Sequence, residues 1–317
     1  MKVMENYQDL IYNHAERAVA LGNFDGIHLG HQALLRTLVK ESRIRKLEST
    51  VYTFRNHPGT VLNTRRKQTY PYRITPIPLK IKILEKLGVQ TLFLDDFTEK
   101  TMNLNPESFV RTILVDLMKV KLVVVGEDFR FGKSASGDVL LLQQMAHTHD
   151  YEAIIVPPVY HERIKISSTL IRQELEKGNM ERVTELLGRP FVMYNRIARG
   201  YGRGKKLGYP TANLILEDQQ MVPAEGVYAT QVKIDDQLFF GATSVGRNPT
   251  FGVHETTVET YIIDCNMMLY DREVELYFCR KMRNQITFMS PESLRKQIDQ
   301  DVQDIKAYLQ TQKCMIL

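Results

Sequence analysis

The sequence predicts an α/β domain, a parallel sheet with helices on both faces, followed by an antiparallel β-barrel with a terminal helix. Up to about residue 187 short apolar runs alternate with amphipathic stretches, which is the pattern of a parallel sheet with crossover helices. Beyond that point the pattern changes to period-two strands separated by turns. The length, 317 residues, also suits two domains at roughly 150 residues each.

In chain order, the apolar runs Val19–Leu21, Thr50–Phe54, Thr91–Leu94, Leu122–Val125 and Ala153–Val156 read as sheet strands, with helices expected near 30–47, 104–119 and 136–148. A sheet of this kind binds its ligands beyond the carboxyl ends of its strands. Leu170, Ile171, Leu175, Val183, Leu186 and Leu187 have helical spacing, with Ser167 or Ser168 as cap, and Gly188-Arg189-Pro190 stops the helix. The expected boundary therefore divides residues 1–187 from 188–317. Strands follow at 192–198, 226–234, 238–245, 257–264 and 272–279, closed by a helix from Pro291 to Gln310.

Lys+Arg 42 against Asp+Glu 37 gives a net charge of +5, which suits anionic small molecules but supplies no basic block for nucleic acid. Hydrophobic content of 43% with 25% charged residues excludes disordered and low-complexity classes. No apolar window approaches membrane-spanning length, and Met1–Asn6 lacks the apolar stretch of a secretory signal. Cys265, Cys279 and Cys314 suggest neither a disulfide framework nor a zinc ribbon, so a soluble cytoplasmic chain without nucleic-acid or membrane partners is expected. The terminal Cys314-Met315-Ile316-Leu317 matches a prenylation pattern, but no polybasic run precedes it, and a frayed tail is expected.

Gly22-Asn23-Phe24-Asp25-Gly26-Ile27-His28-Leu29-Gly30-His31 runs from a strand into a helix. His28 and His31 lie on one helical face, Gly30 permits close backbone approach and the helix N-terminus favours an anion, an arrangement suited to phosphate. A His-x-x-His pair is also half of a metal site; the glycines and the preceding strand favour a nucleotide. Gly126–Ser134 misses the P-loop spacing by one residue. Phe129 and Phe131 there could flank a planar ring, with Asp128 and Arg130 as polar contacts, or be core aromatics beside a surface pair. Ser167, Ser168, Thr169 and Arg172 at a helix start suit phosphate, or form a plain N-cap with a solvated arginine.

In the second half, Gly200-Tyr201-Gly202-Arg203-Gly204-Lys205-Lys206-Leu207-Gly208 lacks the βαβ context of a dinucleotide fingerprint, yet its amides and cations can wrap phosphates. Thr211 and Asn213 share one face of an extended segment and offer two neutral oxygens, enough for Mg²⁺ completed by phosphate and water. Glu259, in a strand with apolar or aromatic alternates, can accept a proton from an alcohol, or be a surface residue paired with a lysine.

With these motifs in this order, joined by Pro223–Tyr228 and Gly246–Phe251, the chain resembles the prokaryotic bifunctional riboflavin kinase/FMN adenylyltransferases, or FAD synthetases, over nearly its whole length. The resemblance implies a Rossmann-like nucleotidyltransferase domain before a riboflavin kinase barrel. It also implies two Mg²⁺- and ATP-dependent reactions, riboflavin to FMN with ADP, and FMN to FAD with pyrophosphate. In the first module His28 and His31 would stabilise the α-phosphate, and Gly22, Asn23, Phe24, Asp25, Ser168, Thr169 and Arg172 would hold ATP. Asp128, Phe129 and Arg130, with Phe54, would meet FMN. In the second, Glu259 would be the base on the ribityl hydroxyl, and Thr211 and Asn213 would hold the metal. Gly200, Gly202, Gly204, Lys205, Leu207, Gly208 and Pro210 would cover ATP, and Asn248, Thr250, Phe251 and Arg283 would lie near the flavin. Two departures stand out: Arg55-Asn56 where an Asp-Pro pair is common, and Gln285 where an acidic residue is usual. The alternatives are a paralogue with one active module and a flavin-responsive binding protein without turnover.

Overall fold

The computed structural model describes residues 1–56, 59, 72–198, 208–216, 220–247, 256–265 and 267–311. The chain divides into two compact units, Met1–Arg73 with Ile77–Ser167, and Ser168–Leu317 with Ile74–Pro76. The helical stretch between Ser168 and the expected boundary at 187/188 groups with the second unit.

In the first unit β1 (Lys2–Met4), β2 (Arg17–Leu21), β3 (Glu48–Phe54), β4 (Thr91–Asp95), β5 (Val120–Gly126) and β6 (Glu152–Val156) form one sheet in the order β1-β4-β3-β2-β5-β6. Every neighbouring pair is parallel, and β7 (Tyr160–His161) pairs antiparallel with β8 (Ile164–Lys165) in a separate two-stranded sheet. From β2 the chain steps outward through β3 to β4, then returns to the other side of β2 for β5. That reversal opens a crevice at the carboxyl ends of β2 and β5. β2 and β4 are buried along their whole length, as apolar strands covered on both faces must be.

Helix α1 is Tyr7–Ile11, α2 is Leu29–Arg45, α3 is Ile77–Lys86 and α4 is Val139–His149. Helix α2 packs on β2, β3 and β5. One core cluster joins Val19 and Leu21 of β2, Tyr52, Phe93, Val123 and Val125 to Leu10, Phe109, Leu114 and Leu142. The stretch expected as one helix over 104–119 is a single turn, Pro106–Ser108, running into a π-helix, Phe109–Leu117. Asn105 starts it by accepting from the Glu107 and Ser108 amides, with proline at the first helical position. Helix α3 is absent from the sequence expectation, although Leu79, Ile83 and Leu84 give it a buried face.

In the second unit the helix expected over Ser168–Leu187 is two, α5 (Ser168–Lys177) and α6 (Met180–Leu187). The break falls at Gly178, whose φ of +77° is a left-handed conformation and whose missing Cβ would lie 2.8 Å from Cδ of Lys281. A side chain there would be both strained and obstructed. Asn179 caps α6. Strands β9 (Phe191–Ala198), β10 (Thr211–Leu214), β11 (Gly226–Ile234), β12 (Gln237–Arg247), β13 (Thr256–Ile262) and β14 (Glu273–Arg283) form a closed barrel in the order β10-β13-β12-β11-β14-β9. All pairs are antiparallel, and β9 with β10 completes the closure. The last strand runs past the expected 279 to Arg283. Helix α7 (Pro291–Thr311) packs on β11 and β12, with Ile305 and Leu309 against Val227, Ala229, Ile263 and Cys279.

Inside the barrel three buried threonines form a ladder across β11, β12 and β13. Their hydroxyl oxygens lie 2.8 Å apart from Thr230 to Thr243 and 2.9 Å from Thr243 to Thr260, and Thr230 Oγ1 also donates to the Gly241 carbonyl. The central hydroxyl is shared by both neighbours; removing it takes from Thr260 its bond in the ladder and leaves Thr230 only the Gly241 carbonyl, in an enclosed site. Thr243→Val is expected to destabilise the barrel by about 1–3 kcal/mol, read as a lower urea midpoint for the unfolding step that abolishes barrel hydrogen-exchange protection. An unchanged midpoint contradicts the ladder's role.

Candidate active sites

β2 ends at Leu21, and the chain turns through Phe24 (φ 46°), Gly26 (φ 87°) and Ile27 (φ 41°) before α2 begins. Left-handed backbone at a phenylalanine and a β-branched isoleucine is costly and persists only where surroundings hold it. Here Phe24 and Ile27 are buried. The Asn23 carbonyl accepts from Thr53 Oγ1 at 3.0 Å and from Lys80 Nζ at 2.8 Å, and the Ile27 carbonyl accepts from Gln32 Nε2 at 3.0 Å.

His28 is the N-cap of α2. Its Nδ1 accepts from the His31 amide at 3.2 Å, and the two imidazoles stack with centroids 3.7 Å apart and planes 16° from parallel. An accepting Nδ1 puts the proton of the neutral ring on Nε2, which is thereby a donor. A Cβ on Gly30 would lie 3.1 Å from Cε1 of His28, so the glycine leaves room for the ring. The carboxyl edge of the sheet thus brings together a helix N-terminus and two imidazoles, groups whose chemistry suits an anion. Among the described residues no set of three His, Cys, Asp or Glu side chains is placed to hold a metal ion.

Beyond β5, Asp128 pairs with Lys165 at 2.7 Å, and that hydrogen bond is the largest influence holding its carboxyl below the usual range. Arg130 pairs with Asp138 at 2.7 Å, the residue that caps α4. Phe129 stacks on Phe131 at 5.6 Å, but Phe131 itself is buried against Phe109. Of the two aromatics read as flanking a ring, Phe131 is a core residue and Phe129 is only partly covered. Phe54 ends β3 and meets Phe97 edge-on at 5.0 Å. Arg55 pairs with Glu5 at 3.0 Å and Asp96 at 3.3 Å. The Asn56 amide pairs both ways with the Phe97 backbone, donating at 2.8 Å and accepting at 2.7 Å, so both departures at 55–56 have local partners. Ser168, Thr169 and Arg172 stand on the first helix of the second unit.

On the barrel, β10 and β13 pair so that Asn213 lies opposite Glu259 and Thr211 opposite Tyr261. Ala212, Leu214, Val258, Thr260 and Ile262 are buried, which leaves Thr211, Asn213 and Glu259 together on the other face. Thr211 Oγ1 donates to Glu259 Oε2 at 3.3 Å. Beside them Tyr209 meets Tyr261 edge-on at 5.0 Å, and its hydroxyl donates to Asp299 of α7. Gly208 has a φ of +89° and Pro210 is exposed. The remaining loop positions, Gly200, Gly202, Gly204, Lys205 and Leu207, lie outside the described residues, as do Asn248, Thr250, Phe251 and the Cys314 tail.

The Arg283 guanidinium binds Asp301 of α7, through Nε at 2.9 Å and Nη2 at 2.6 Å. Gln285 Nε2 donates to Ser244 Oγ at 2.8 Å and to the Val245 carbonyl at 2.9 Å. A carboxylate at 285 could accept from the Ser244 hydroxyl but could not donate to the Val245 carbonyl.

Sequence reasoning missed the Lys80 contact with Asn23 and the cluster in which buried Asp95, at the end of β4, accepts from Tyr7 at 2.5 Å and from Tyr52. Burial is the main cause that pushes both tyrosine hydroxyls above their usual range. These residues come from separate elements, and no local spacing links them. A cavity of about 650 Å³ lined by Glu16, Arg43, Lys46, Glu48 and Gln90 mixes carboxylates with cations and contains none of the residues above.

The FAD synthetase family is matched over residues 11–170 and the riboflavin kinase family over 187–309. Bifunctional riboflavin kinase/FMN adenylyltransferases resemble the chain along almost its full length. That of Buchnera aphidicola from Schizaphis graminum is 33% identical, covering 97% of this chain and 99% of its own. That of Escherichia coli K12 is 33% identical, with 95% and 96% covered, and that of Listeria monocytogenes 34% identical, with 92% of each covered. A crystal structure from Streptococcus pneumoniae described as a macrolide-efflux protein superposes with a TM-score of 0.85 at 34% identity, covering 96% of this chain and 98% of that one. Among the described residues no helix is long and apolar enough to cross a membrane. With the two matched families following one another in the order of the two units, the chain belongs to the bifunctional riboflavin kinase/FMN adenylyltransferase family.

Proposed function

We propose that the carboxyl edge of the parallel sheet transfers AMP from ATP to FMN, and that the outer face of the barrel at β10 and β13 transfers the γ-phosphoryl group of ATP to riboflavin. The observation that carries this reading is that each unit has a polar group of its own matched to its reaction: stacked His28 and His31 at a helix N-terminus, and Thr211, Asn213 and Glu259 on one barrel face. The functional modules are proposed as 1–187 and 188–317, with most of α5 and α6 falling between the two matched families.

In adenylyl transfer an FMN phosphate oxygen attacks the α-phosphorus while the bond to pyrophosphate breaks. Charge grows on the α-phosphate oxygens, and His28 Nε2–H with the His31 imidazole and the α2 amides supplies donors fixed in advance. Asn23 and its glycine-bounded loop shape the phosphate cradle. Phe129, Phe54, Asp128 and Arg130 stand as the flavin-side contacts. In the kinase reaction Glu259 accepts the proton of the ribityl hydroxyl as that oxygen attacks the γ-phosphorus. Thr211 and Asn213 suit Mg²⁺, because they offer hard neutral oxygens and the Thr211 hydroxyl can donate to Glu259 while its lone pair binds a cation. The ion, when bound, neutralises charge on the phosphates. Gly200–Gly208 and Pro210 are proposed over ATP, and Arg283 with Asn248–Phe251 near the flavin. Riboflavin, FMN, FAD, ATP, ADP and pyrophosphate are the proposed small-molecule partners, and the cytoplasm the proposed compartment.

Two substitutions separate the sites. His31→Ala is expected to lower FAD formation from FMN by about 10²–10³-fold while leaving riboflavin phosphorylation unchanged. Glu259→Gln is expected to lower FMN formation by about 10²–10⁴-fold while sparing FAD formation from added FMN. Chromatography of riboflavin, FMN and FAD over time reads both, and loss of both activities in either folded variant refutes separate sites. The metal reading predicts that Asn213→Ala raises the Mg²⁺ concentration needed for half-maximal kinase rate by about tenfold, with the requirement of the adenylyl step unmoved. An unaltered requirement removes Asn213 from the metal.

A further inference from the structure

We propose that Lys80 is a positioning residue of adenylyl transfer, whose buried ammonium straps down the left-handed loop that presents His28 and His31. The inference rests on the reading of those histidines as the adenylyl-transfer site. Lys80 lies in α3, far from the loop in sequence, and is only 2% exposed. Its Nζ donates to the Asn23 carbonyl at 2.8 Å, and the buried carboxylate of Asp25 lies close enough to favour its charged form.

The need for such a strap follows from the backbone. Phe24, Gly26 and Ile27 hold positive φ angles in succession, and two of them are residue types that relax readily to ordinary conformations. Thr53 reaches the same Asn23 carbonyl at 3.0 Å, but as a neutral hydroxyl. A charge-assisted bond to that carbonyl is the stronger of the two. Lys80 meets the turn at two points, bonding Asn23 just before Phe24 and facing Asp25 between Phe24 and Gly26. Loss of the strap frees the turn, and small displacements of groups around a reacting phosphate are costly to rate.

The charge itself is adjustable. Burial is the main cause that brings the Lys80 ammonium down from the usual lysine range to about 8; Asp25 opposes this and the Arg73 guanidinium adds to it. Below that value the ammonium is present and Asp25 is neutralised. Above it the amine still donates a hydrogen bond but no longer carries the charge that Asp25 favours. Adenylyl transfer should therefore fall as pH rises through about 8.

The test uses the full chain with FMN, ATP and excess Mg²⁺, assayed from about pH 6 to about pH 10, with riboflavin phosphorylation by the same protein as the control for ATP and metal. Lys80→Met removes charge and bond, and Lys80→Gln keeps a donor without the charge. Both are expected to lower kcat for FAD formation by about tenfold or more, to leave riboflavin phosphorylation unchanged, and to lack the alkaline fall of the unsubstituted enzyme. A merely structural role would scale kcat with the folded fraction seen by circular dichroism and leave the pH profile in place; that result, or a kcat within about twofold, overturns the proposal. If neither variant folds, the unsubstituted enzyme decides: no alkaline fall in FAD formation beyond that in FMN formation overturns it. His31→Ala run beside them separates the two ideas, since intact FAD formation in that variant refutes the site itself, whereas its loss with an indifferent Lys80→Met refutes only the strap.

Discussion

The left-handed turn between β2 and α2 is the constraint on which the adenylyl-transfer unit depends. A parallel strand must hand its chain to a helix on one face of the sheet within a few residues, and here it does so through Phe24, Gly26 and Ile27 at positive φ. Everything around the turn serves to hold it: the burial of Phe24 and Ile27, the two donors on the Asn23 carbonyl and the Gln32 clamp on Ile27. The same turn sets where α2 begins, and so where its N-terminal amides and His28 point. Because β2 sits at the reversal of strand order, flanked by β3 and β5, that point is the crevice in which sheets of this kind hold ligands.

The barrel meets a different demand. Its strands must bend into closure, and the short β10 does this by pairing with β9 on one side and β13 on the other. Alternation along β10 and β13 then sorts residues between an interior of Ala212, Leu214, Val258 and Thr260 and an outer face of Thr211, Asn213 and Glu259. Helix α7 is tied to the barrel through Asp299, bonded by Tyr209 beside β10, and through Asp301, bonded by Arg283 at the end of β14. The terminal helix is therefore fastened by these bonds as well as by the core.

Much of this was legible in the sequence, because it is written in local patterns. Apolar runs gave the sheet strands, period-two alternation the barrel, and the spacing of His28, Gly30 and His31 the helix start and its anion site. What escaped were features made by the meeting of distant segments. Lys281 from β14 approaches the backbone at Gly178, the clamp on Asp95 comes from Tyr7 and Tyr52, and Lys80 reads as an ordinary amphipathic position until α3 brings it under Asn23. Phe129 and Phe131 were equivalent as sequence; only the packing of Phe109 assigns Phe131 to the core.

One side chain in this protein answers to two masters. His28 closes the first turn of α2 through Nδ1, and in the proposed reaction its opposite nitrogen is the donor to the α-phosphate. Asparagine at that position would cap the helix as well or better, yet it would not carry a donor outward from the far side of a ring. The preference for imidazole is thus set by chemistry and tolerated by the fold.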